Sequence, residues 1–394
     1  MKPTQSRLAT DLEERCPGGN SGRRALFLLA ASRAAGAIAL AALVWTSGAL
    51  PASARKHRHE QHAQPLTAES VNAARYEGRG TSRSQSAVVL KAEVLLDRLS
   101  FSPGAIDGKP GDNFRKALAA YQQAQGLAPS GKLDPDTWQQ LAGNDAVPAL
   151  VDYEISDDDV KGPFAPNIPK KMEDMSRLEH LGYTSPVELL AEKFHVSEDL
   201  LRQLNRGRTL DQAGSAIVVP NVRDARADGA MARVEVDKTL KAVRGFADDG
   251  SLVAFYPATI GSTEKPAPSG TFRIRGVARN PTYHYDPKFQ FKGVKAQHPF
   301  TIRPGPNNPV GLVWIDLSKP SYGIHGTPEP TKIGKTQSHG CIRLTNWDAL
   351  DLARRVRKGV RVAFIDGGRR TDDAGRMSDQ RTENRRQRTD SDHR

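Results

Sequence analysis

Short strand-like segments in the last third of the chain constrain the fold more than any other feature. Between Ala232 and Ile365, runs such as TFRIRGVA, VGLVWIDL and VRVAFID alternate with Gly, Pro and Asn. This spacing is typical of strands joined by turns. Only TNWDALDLARRV has helical apolar spacing, with Thr345 as the predicted N-cap and Asp348 placed for a capping box. Many strands and one late helix predict a mainly-β domain, a sandwich or partly open barrel.

A second region, residues 87–143, has the spacing of amphipathic helices, and 394 residues leave room for two or three domains. Asn113 is the predicted N-cap of the helix NFRKALAAYQQAQG, and Asp134 precedes a third short helix. The region resembles the three-helix peptidoglycan-binding domain, and an unrelated helical bundle is the alternative. The resemblance rests on Ile106-Asp107-Gly108, Phe114, Ala117, Tyr121-Gln122, Gly126-Leu127, Gly131, Asp136-Thr137-Trp138 and Leu141.

Residues 179–222 predict a small α+β module, with two short helices followed by the strand-like GSAIVVPNV. The segment resembles the second half of a LysM carbohydrate-binding module, although no opening strand is evident before Tyr183. Glycan binding and a role as a structural adaptor both remain open. Residues 144–178, which are acidic and rich in proline, are expected to form a linker arm.

The N-terminus indicates export. Arg23 and Arg24 precede a long apolar stretch that ends in ALPASA, so residues 1–54 are predicted to be a signal peptide or a membrane anchor. Everything that follows is expected in the periplasm or cell wall, with anchoring to the inner membrane as one possibility. Residues 55–86 are predicted to be a disordered linker, and residues 367–394 a disordered charged tail.

The formal net charge of +12 at pH 7 favours an anionic partner, which could be nucleic acid, a membrane surface or an acidic wall polymer. The export signal argues against nucleic acid. The resemblance of residues 87–143 to a peptidoglycan-binding domain implies peptidoglycan as the partner, and the N-terminal segment could also contact a membrane.

The motif SHGCIRL contains Cys341, one of only two cysteines in the chain. Cys16 precedes the apolar stretch, so the two thiols are separated by the membrane and cannot form a disulfide within the exported part. A zinc site could use His325, His339 and Cys341, but His284 is the only nearby fourth ligand and the spacing is not typical of structural zinc. A buried structural cysteine and a catalytic thiolate remain as explanations.

A catalytic thiol needs a base or a positive field, because only a few per cent of free thiol is ionised near neutral pH. His325 and His339 offer two imidazoles. No acidic residue adjoins either one, so a backbone carbonyl is the predicted orienter. Backbone N–H groups near Gly340 could form an oxyanion hole, and Arg343 could bind a carboxylate.

Taken together, HGTPEPTKIGKTQSHGCIRL and the upstream YPATIGSTEKPAPSGTF resemble the YkuD-type L,D-transpeptidase catalytic domain over residues 231–366. The resemblance implies a cysteine acyltransferase without a metal or an organic cofactor. It implies Cys341 as nucleophile, His325 as general base, the Gly326 carbonyl as orienter of that imidazole, and His339 and Gly340 in the oxyanion shell.

The same resemblance implies that Arg343, Ser338, Tyr322, Tyr283 and His284 line the substrate groove. The nucleophile would attack a peptidoglycan stem tetrapeptide, release D-alanine and pass the acyl group to an amine. The expected function is thus wall remodelling outside the cytoplasm. An L,D-carboxypeptidase, in which water resolves the thioester, and a non-catalytic wall-binding protein are the alternatives.

Overall fold

The computed structural model describes most of the chain after the predicted export segment. The described residues all belong to one compact unit. The predicted signal or anchor, and the charged tail beyond Arg370, lie outside the described residues. Within the described part, no helix is long and apolar enough to cross a membrane. The described ranges are 66–78, 84–143, 147–222, 229–261, 266–289, 294, 296–336, 340–367 and 369–370.

Helices dominate the first half of the described chain and strands the second. The helices are α1 (Ala68–Asn72), α2 (Ala87–Arg98), α3 (Asp112–Ala124), α4 (Pro135–Ala142), α5 (Asp157–Lys161), α6 (Met172–Met175), α7 (Pro186–Lys193), α8 (Glu198–Leu204) and α9 (Asn346–Arg355). The strands are β1 (Leu150–Glu154), β2 (Ala216–Pro220), β3 (Arg233–Asp237), β4 (Ala242–Phe246), β5 (Leu252–Pro257), β6 (Thr259–Ile260), β7 (Gly270–Arg279), β8 (Tyr283–Tyr285), β9 (Phe300–Ile302), β10 (Val313–Leu317), β11 (Gly323–His325), β12 (Ile342–Arg343), β13 (Arg361–Asp366) and β14 (Arg369–Arg370).

The C-terminal domain is built on one large sheet in the order β5-β4-β3-β13-β7-β10-β11-β12-β6, with β14 beside β13. Most neighbours are antiparallel, but β3 with β13 and β11 with β12 are parallel pairs. Helix α9 packs on β10 and β11. This arrangement confirms the predicted mainly-β domain with one late helix. The buried core includes Val234, Ile315, Ile324, Ile342, Leu352 and Phe364.

The capping of two helices differs in detail from the prediction. Thr345 does cap α9, because its side chain accepts a hydrogen bond from the Asp348 amide. The carboxylate of Asp348 accepts a hydrogen bond from Ser102 of the helical region at 2.9 Å. Helix α3 begins at Asp112 with Gly111 as its N-cap, so the predicted N-cap Asn113 is wrong. The Asn113 amide instead donates to the Ile333 carbonyl at 3.0 Å, in the loop after β11.

In the helical domain of α2, α3 and α4, the buried side chain of Gln122 links α3 to the turn before α4 and to α4 itself. Gln122 is fully buried, and its amide oxygen accepts from the Gly131 N–H at 2.9 Å. Its amide nitrogen donates to the Lys132 carbonyl and to the Thr137 hydroxyl, both at 2.9 Å. These bonds hold the turn before α4 against α3, which explains why a polar residue occupies a core position.

Two segments expected to be linkers contain ordered structure. Strand β1, within the expected arm 144–178, pairs antiparallel with β2 from Leu150↔Pro220 to Glu154↔Ala216. The α+β module therefore has an opening strand that its sequence did not reveal, separated from α7 by α5 and α6. In the expected linker 55–86, Thr67 and Ser70 form a capping box around α1, and Val71 is fully buried.

The helical domain, the α+β module and the β domain share hydrophobic cores. Val94 and Ile106 of the helical domain pack with Leu190, Leu201 and Val219 of the α+β module. A second cluster joins the helical domain to β4 and β5, and it includes Leu96, Phe114, Leu118, Phe246 and Phe255. The described modules are therefore packed together, and they are not compact units held only by flexible linkers.

Phe255→Ala is expected to lower the free energy of unfolding by about 3 to 5 kcal/mol, because it opens a cavity in the core shared with the helical domain. Phe255 is 1% exposed, and its backbone pairs with Ser100 and Ser102 along the edge of the sheet. Urea unfolding would measure the change. Val277→Ala on β7, where the side chain is 37% exposed, is the control. Equal effects of the two substitutions would contradict the shared core.

Candidate active site

The parallel pair β11 and β12 brings the two sequence motifs together. Ile324 lies opposite Ile342, and His325 lies opposite Arg343. Both isoleucines point into the hydrophobic core. Since side chains alternate along a strand, His325 and Arg343 point to the other face of the sheet, and so does Cys341, one residue before Ile342. One face of the sheet thus carries a thiol, an imidazole and a guanidinium.

The imidazole of His325 is held in one orientation. It is 3% exposed, its Nδ1 lies 2.7 Å from the Gly326 carbonyl oxygen, and its ring stacks on Trp314 at 5.5 Å. A carbonyl can only accept, so Nδ1 carries the proton and Nε2 keeps a lone pair when the ring is neutral. Burial and then the charge of Arg343 lower the pKa of His325 to about 3, although the Gly326 hydrogen bond opposes them. The ring is therefore neutral at physiological pH.

Burial also favours the neutral form of the Cys341 thiol. Burial raises its pKa, whereas a backbone hydrogen bond from Gly323 and the charge of Arg343 act in the opposite direction. Its Sγ lies 4.0 Å from the Ser321 carbonyl oxygen. A protonated thiol needs a base before it can attack a carbonyl, and a neutral imidazole is able to accept that proton.

Two predicted groove residues lie close to Cys341 or to the adjacent Gly340. Burial, followed by the charge of Cys341, raises the pKa of Tyr283 to about 12, whereas Arg343 acts in the opposite direction. Tyr283 therefore lies within electrostatic range of both groups. The Tyr322 ring lies 3.4 Å from where a Cβ on Gly340 would be, and Gly340 has a φ of +107°, which favours glycine.

Other predicted residues lie elsewhere or outside the described part. His284 follows Tyr283 on β8 and points to the opposite face, where it is exposed and its Nδ1 lies 2.9 Å from the Thr301 hydroxyl. Ser338 and His339 lie outside the described residues. Among the described residues, no group of three or more His, Cys, Asp or Glu side chains is arranged to hold a metal ion.

The structure adds residues that sequence reasoning missed. Trp314 lies opposite His325 on β10 and stacks on its ring. A Cβ on Gly326 would lie 2.1 Å from Oδ1 of the buried Asn346, so that side chain packs directly against the carbonyl-bearing residue. The sequence signal for Trp314 was an aromatic residue within a predicted strand. The only sequence signal for Asn346 was its position, five residues after Cys341.

His325 should make the stability of the fold depend on pH. The unfolded imidazole binds a proton below its ordinary pKa of 6.5, whereas the folded one resists protonation until about pH 3. Its contribution is complete above pH 6.5 and is lost as the pH falls towards 3, by up to about 1.4 kcal/mol per pH unit. His325→Gln should give a shallower pH dependence in urea unfolding across this window. Identical slopes for the two proteins would contradict the prediction.

Two family models match the chain in agreement with these features. The YkuD model, described as "L,D-transpeptidase catalytic domain", matches residues 231–364. The second, described as "Putative peptidoglycan binding domain", matches residues 85–141. The first covers the mainly-β domain with the Cys341 face, and the second covers α2, α3 and α4.

Proteins with related names, including one of known structure, are also similar to this chain. A Bacillus licheniformis protein named "Putative L,D-transpeptidase YkuD" is 34% identical over 180 residues, which is 45% of this chain and 92% of that protein. The Escherichia coli protein "Probable L,D-transpeptidase YbiS" is 27% identical over 193 residues, covering 47% of this chain and 61% of that protein. A crystal structure of an L,D-transpeptidase from Xylanimonas cellulosilytica aligns with a TM-score of 0.32 at 16% identity, covering 74% of this chain and 98% of that one.

Proposed function

The chain belongs to the YkuD family of L,D-transpeptidases, and on that premise we propose that it is a peptidoglycan L,D-transpeptidase with Cys341 as its nucleophile. The observation that carries the proposal is the shared sheet face on which His325 lies in register with Arg343, with Cys341 directly before β12. A neutral imidazole with its Nδ1 proton held by the Gly326 carbonyl is the form of base that a protonated thiol requires.

In the first step, Sγ of Cys341 attacks the carbonyl between the third and fourth residues of a stem tetrapeptide. The thiol proton passes to Nε2 of His325 as the S–C bond forms. The resulting imidazolium returns that proton to the departing amine as the C–N bond breaks, which releases D-alanine. Because burial raises the pKa of the thiol and lowers that of the imidazole, proton transfer accompanies the attack and does not precede it.

In the second step, an acceptor amine attacks the thioester. His325 takes the proton of the amine and delivers it to the sulfur, so that Cys341 leaves as a thiol and the new amide is complete. Backbone N–H groups around Gly340 and Cys341 are proposed to stabilise the oxyanion in both steps, with His339 beside them. The positive φ of Gly340 supports this role, because it allows a tight turn beside the nucleophile.

Arg343 is proposed to bind the donor peptide. Its Nε is buried and has no hydrogen-bond partner among the described residues. A buried donor without an acceptor is costly, and a carboxylate or carbonyl oxygen of the substrate would satisfy it. We propose that Tyr283, Tyr322 and Ser338 line the same groove. The charge of Arg343 affects the pKa of Tyr283, and the Tyr322 ring lies beside Gly340.

The family acts on the cell wall, so the site of action is outside the cytoplasm. The peptidoglycan-binding domain is proposed to hold the enzyme on the polymer, and the LysM-like α+β module is proposed to assist it. Binding to the polymer raises the local substrate concentration, so modest affinities suffice. The net charge of +12 favours contact with an acidic wall.

The proposal is tested by incubating the purified protein with a disaccharide-tetrapeptide and identifying the products by mass spectrometry. A cross-linked dimer with free D-alanine supports transfer to an amine. A tripeptide with free D-alanine and no dimer supports the L,D-carboxypeptidase alternative. The absence of D-alanine release would overturn the enzymatic proposal and favour a non-catalytic wall-binding protein.

A further inference from the structure

The side chain of Asn346 links the active site to the rest of the molecule. It is the first residue of α9 and is fully buried. Its Oδ1 accepts a hydrogen bond from the Leu312 N–H at 3.1 Å. A Cβ built on Gly311 or on Gly326 would lie 2.1 Å from the same oxygen. The amide is therefore wedged between two glycines, and one of them carries the carbonyl that holds His325.

The opposite end of the amide contacts another module. Nδ2 of Asn346 donates to both carboxyl oxygens of Glu192 at 3.0 Å, and it also lies 3.2 Å from the Pro306 carbonyl oxygen. Glu192 belongs to α7 of the α+β module, which packs against α9. This arrangement assigns the orientation of the amide, because the end that faces the Leu312 N–H must accept and the end that faces the Pro306 carbonyl oxygen must donate.

The carboxyl group of Glu192 lies in an unfavourable environment at the contact between α7 and α9. Its other hydrogen bond comes from the hydroxyl of Tyr183 at 3.1 Å, and among the described residues no Lys or Arg forms a salt bridge with it. Burial raises the pKa of Glu192 to about 8. A partly buried carboxyl group whose hydrogen-bond partners are all neutral lowers stability compared with an apolar contact. Packing between the two modules does not by itself require a carboxyl group at this position.

We propose that Glu192 is a positioning residue of the active site, which acts through Asn346 on the Gly326 carbonyl and thereby on His325. Removing the acceptor frees the Asn346 amide, and the backbone at Gly326 is then no longer held against it. The hydrogen bond to Nδ1 of His325 loses its alignment, and Nε2 shifts relative to Cys341. The α+β module thus completes the catalytic domain. This inference rests on the proposed role of His325 as the general base.

The test measures how fast Cys341 forms a covalent adduct with a carbapenem in the full chain, followed by mass spectrometry. Glu192→Ala should lower the limiting rate by roughly 10- to 100-fold while the half-saturating concentration changes by less than about threefold. Glu192→Gln keeps an acceptor for Asn346 and should stay within about threefold of the wild type. Glu198→Ala, on the exposed start of the neighbouring α8, is the matched control and should not change the rate.

A double variant separates positioning from general loss of structure. Asn346→Asp replaces the amide donor that faces Glu192 and the Pro306 carbonyl oxygen with an acceptor and should slow the adduct, whereas Glu192→Gln in the same chain supplies a donor and should restore the rate. A wild-type rate in Glu192→Ala, an equal loss in Glu192→Gln, or additive losses in the double variant would each overturn the inference. The comparison of Asn346→Asp with the double variant does not depend on whether Glu192→Ala folds well.

Alkylation of Cys341 by iodoacetamide in the same variants separates this inference from the proposed reaction. Alkylation needs only the thiol and its base, so the variants should have the same order of rates. If the wild type forms no carbapenem adduct but the alkylation rates keep that order, the proposed transpeptidase activity is contradicted and the positioning role is supported. Equal alkylation rates in all variants would overturn the positioning role.

Discussion

Cys341→Ala is expected to abolish both the release of D-alanine and the covalent adduct with a carbapenem. Without the sulfur there is no thioester, and His325 alone cannot form the covalent intermediate. Loss of a catalytic nucleophile commonly lowers turnover by about 10⁴-fold or more, so no product should be measurable. Mass spectrometry of the protein and of the released D-alanine would measure both effects in one sample.

The control for this prediction is Cys16→Ala in the full chain, because it removes the only other cysteine. This variant should retain the wild-type rate of D-alanine release and one adduct per chain. An adduct on Cys341→Ala, or an equal loss of activity in both variants, would contradict the assignment of the nucleophile. Thermal unfolding of each variant would show whether the fold is retained.

Gly326→Ala is expected to lower both stability and activity. The new Cβ would lie 2.1 Å from Oδ1 of Asn346 and 3.3 Å from the Leu312 nitrogen, and both atoms are held by their mutual hydrogen bond. Overpacking of this kind costs about 1 to 3 kcal/mol. The displaced carbonyl would also release Nδ1 of His325, and a misplacement of about 1 Å can lower the rate of a catalytic step roughly 10²-fold.

The matched control is Gly276→Ala on β7, where a Cβ would have no atom within 4 Å. Urea unfolding and the rate of carbapenem adduct formation would be measured on both variants. The control should keep wild-type values for both. If Gly326→Ala formed the adduct at the wild-type rate, the carbonyl of that residue would not be the element that orients His325.

Patterns within a few residues were sufficient to predict the mainly-β domain. Strand-like runs coincide with β7, β10 and β13, and the one confident helix coincides with α9. These elements depend on local alternation and on the cap at Thr345, which neighbouring residues supply. The strand β1 was missed because it lies in an acidic, proline-rich segment and is stabilised by pairing with β2, which begins more than sixty residues later.

The candidate reactive residues were also predicted from local sequence, because their motifs are defined by the types and the order of neighbouring residues. What those motifs could not show is how they meet. The parallel register of β11 with β12 places His325 opposite Arg343, and this pairing depends on contacts with the core on the opposite face. The stacking of Trp314 on His325 follows from the same sheet and had no signature in the motif.

By itself, the sequence determined the class of the C-terminal domain and the presence of a peptidoglycan-binding domain, and it predicted the thiol and the imidazole of the site, because each depends on residue types at short spacing. Only the tertiary structure decided that the modules share cores, and that Glu192 reaches Asn346 from a different module. Such contacts join residues far apart in the chain. Their partners are selected by packing and by the need to satisfy buried polar groups, which no local pattern records.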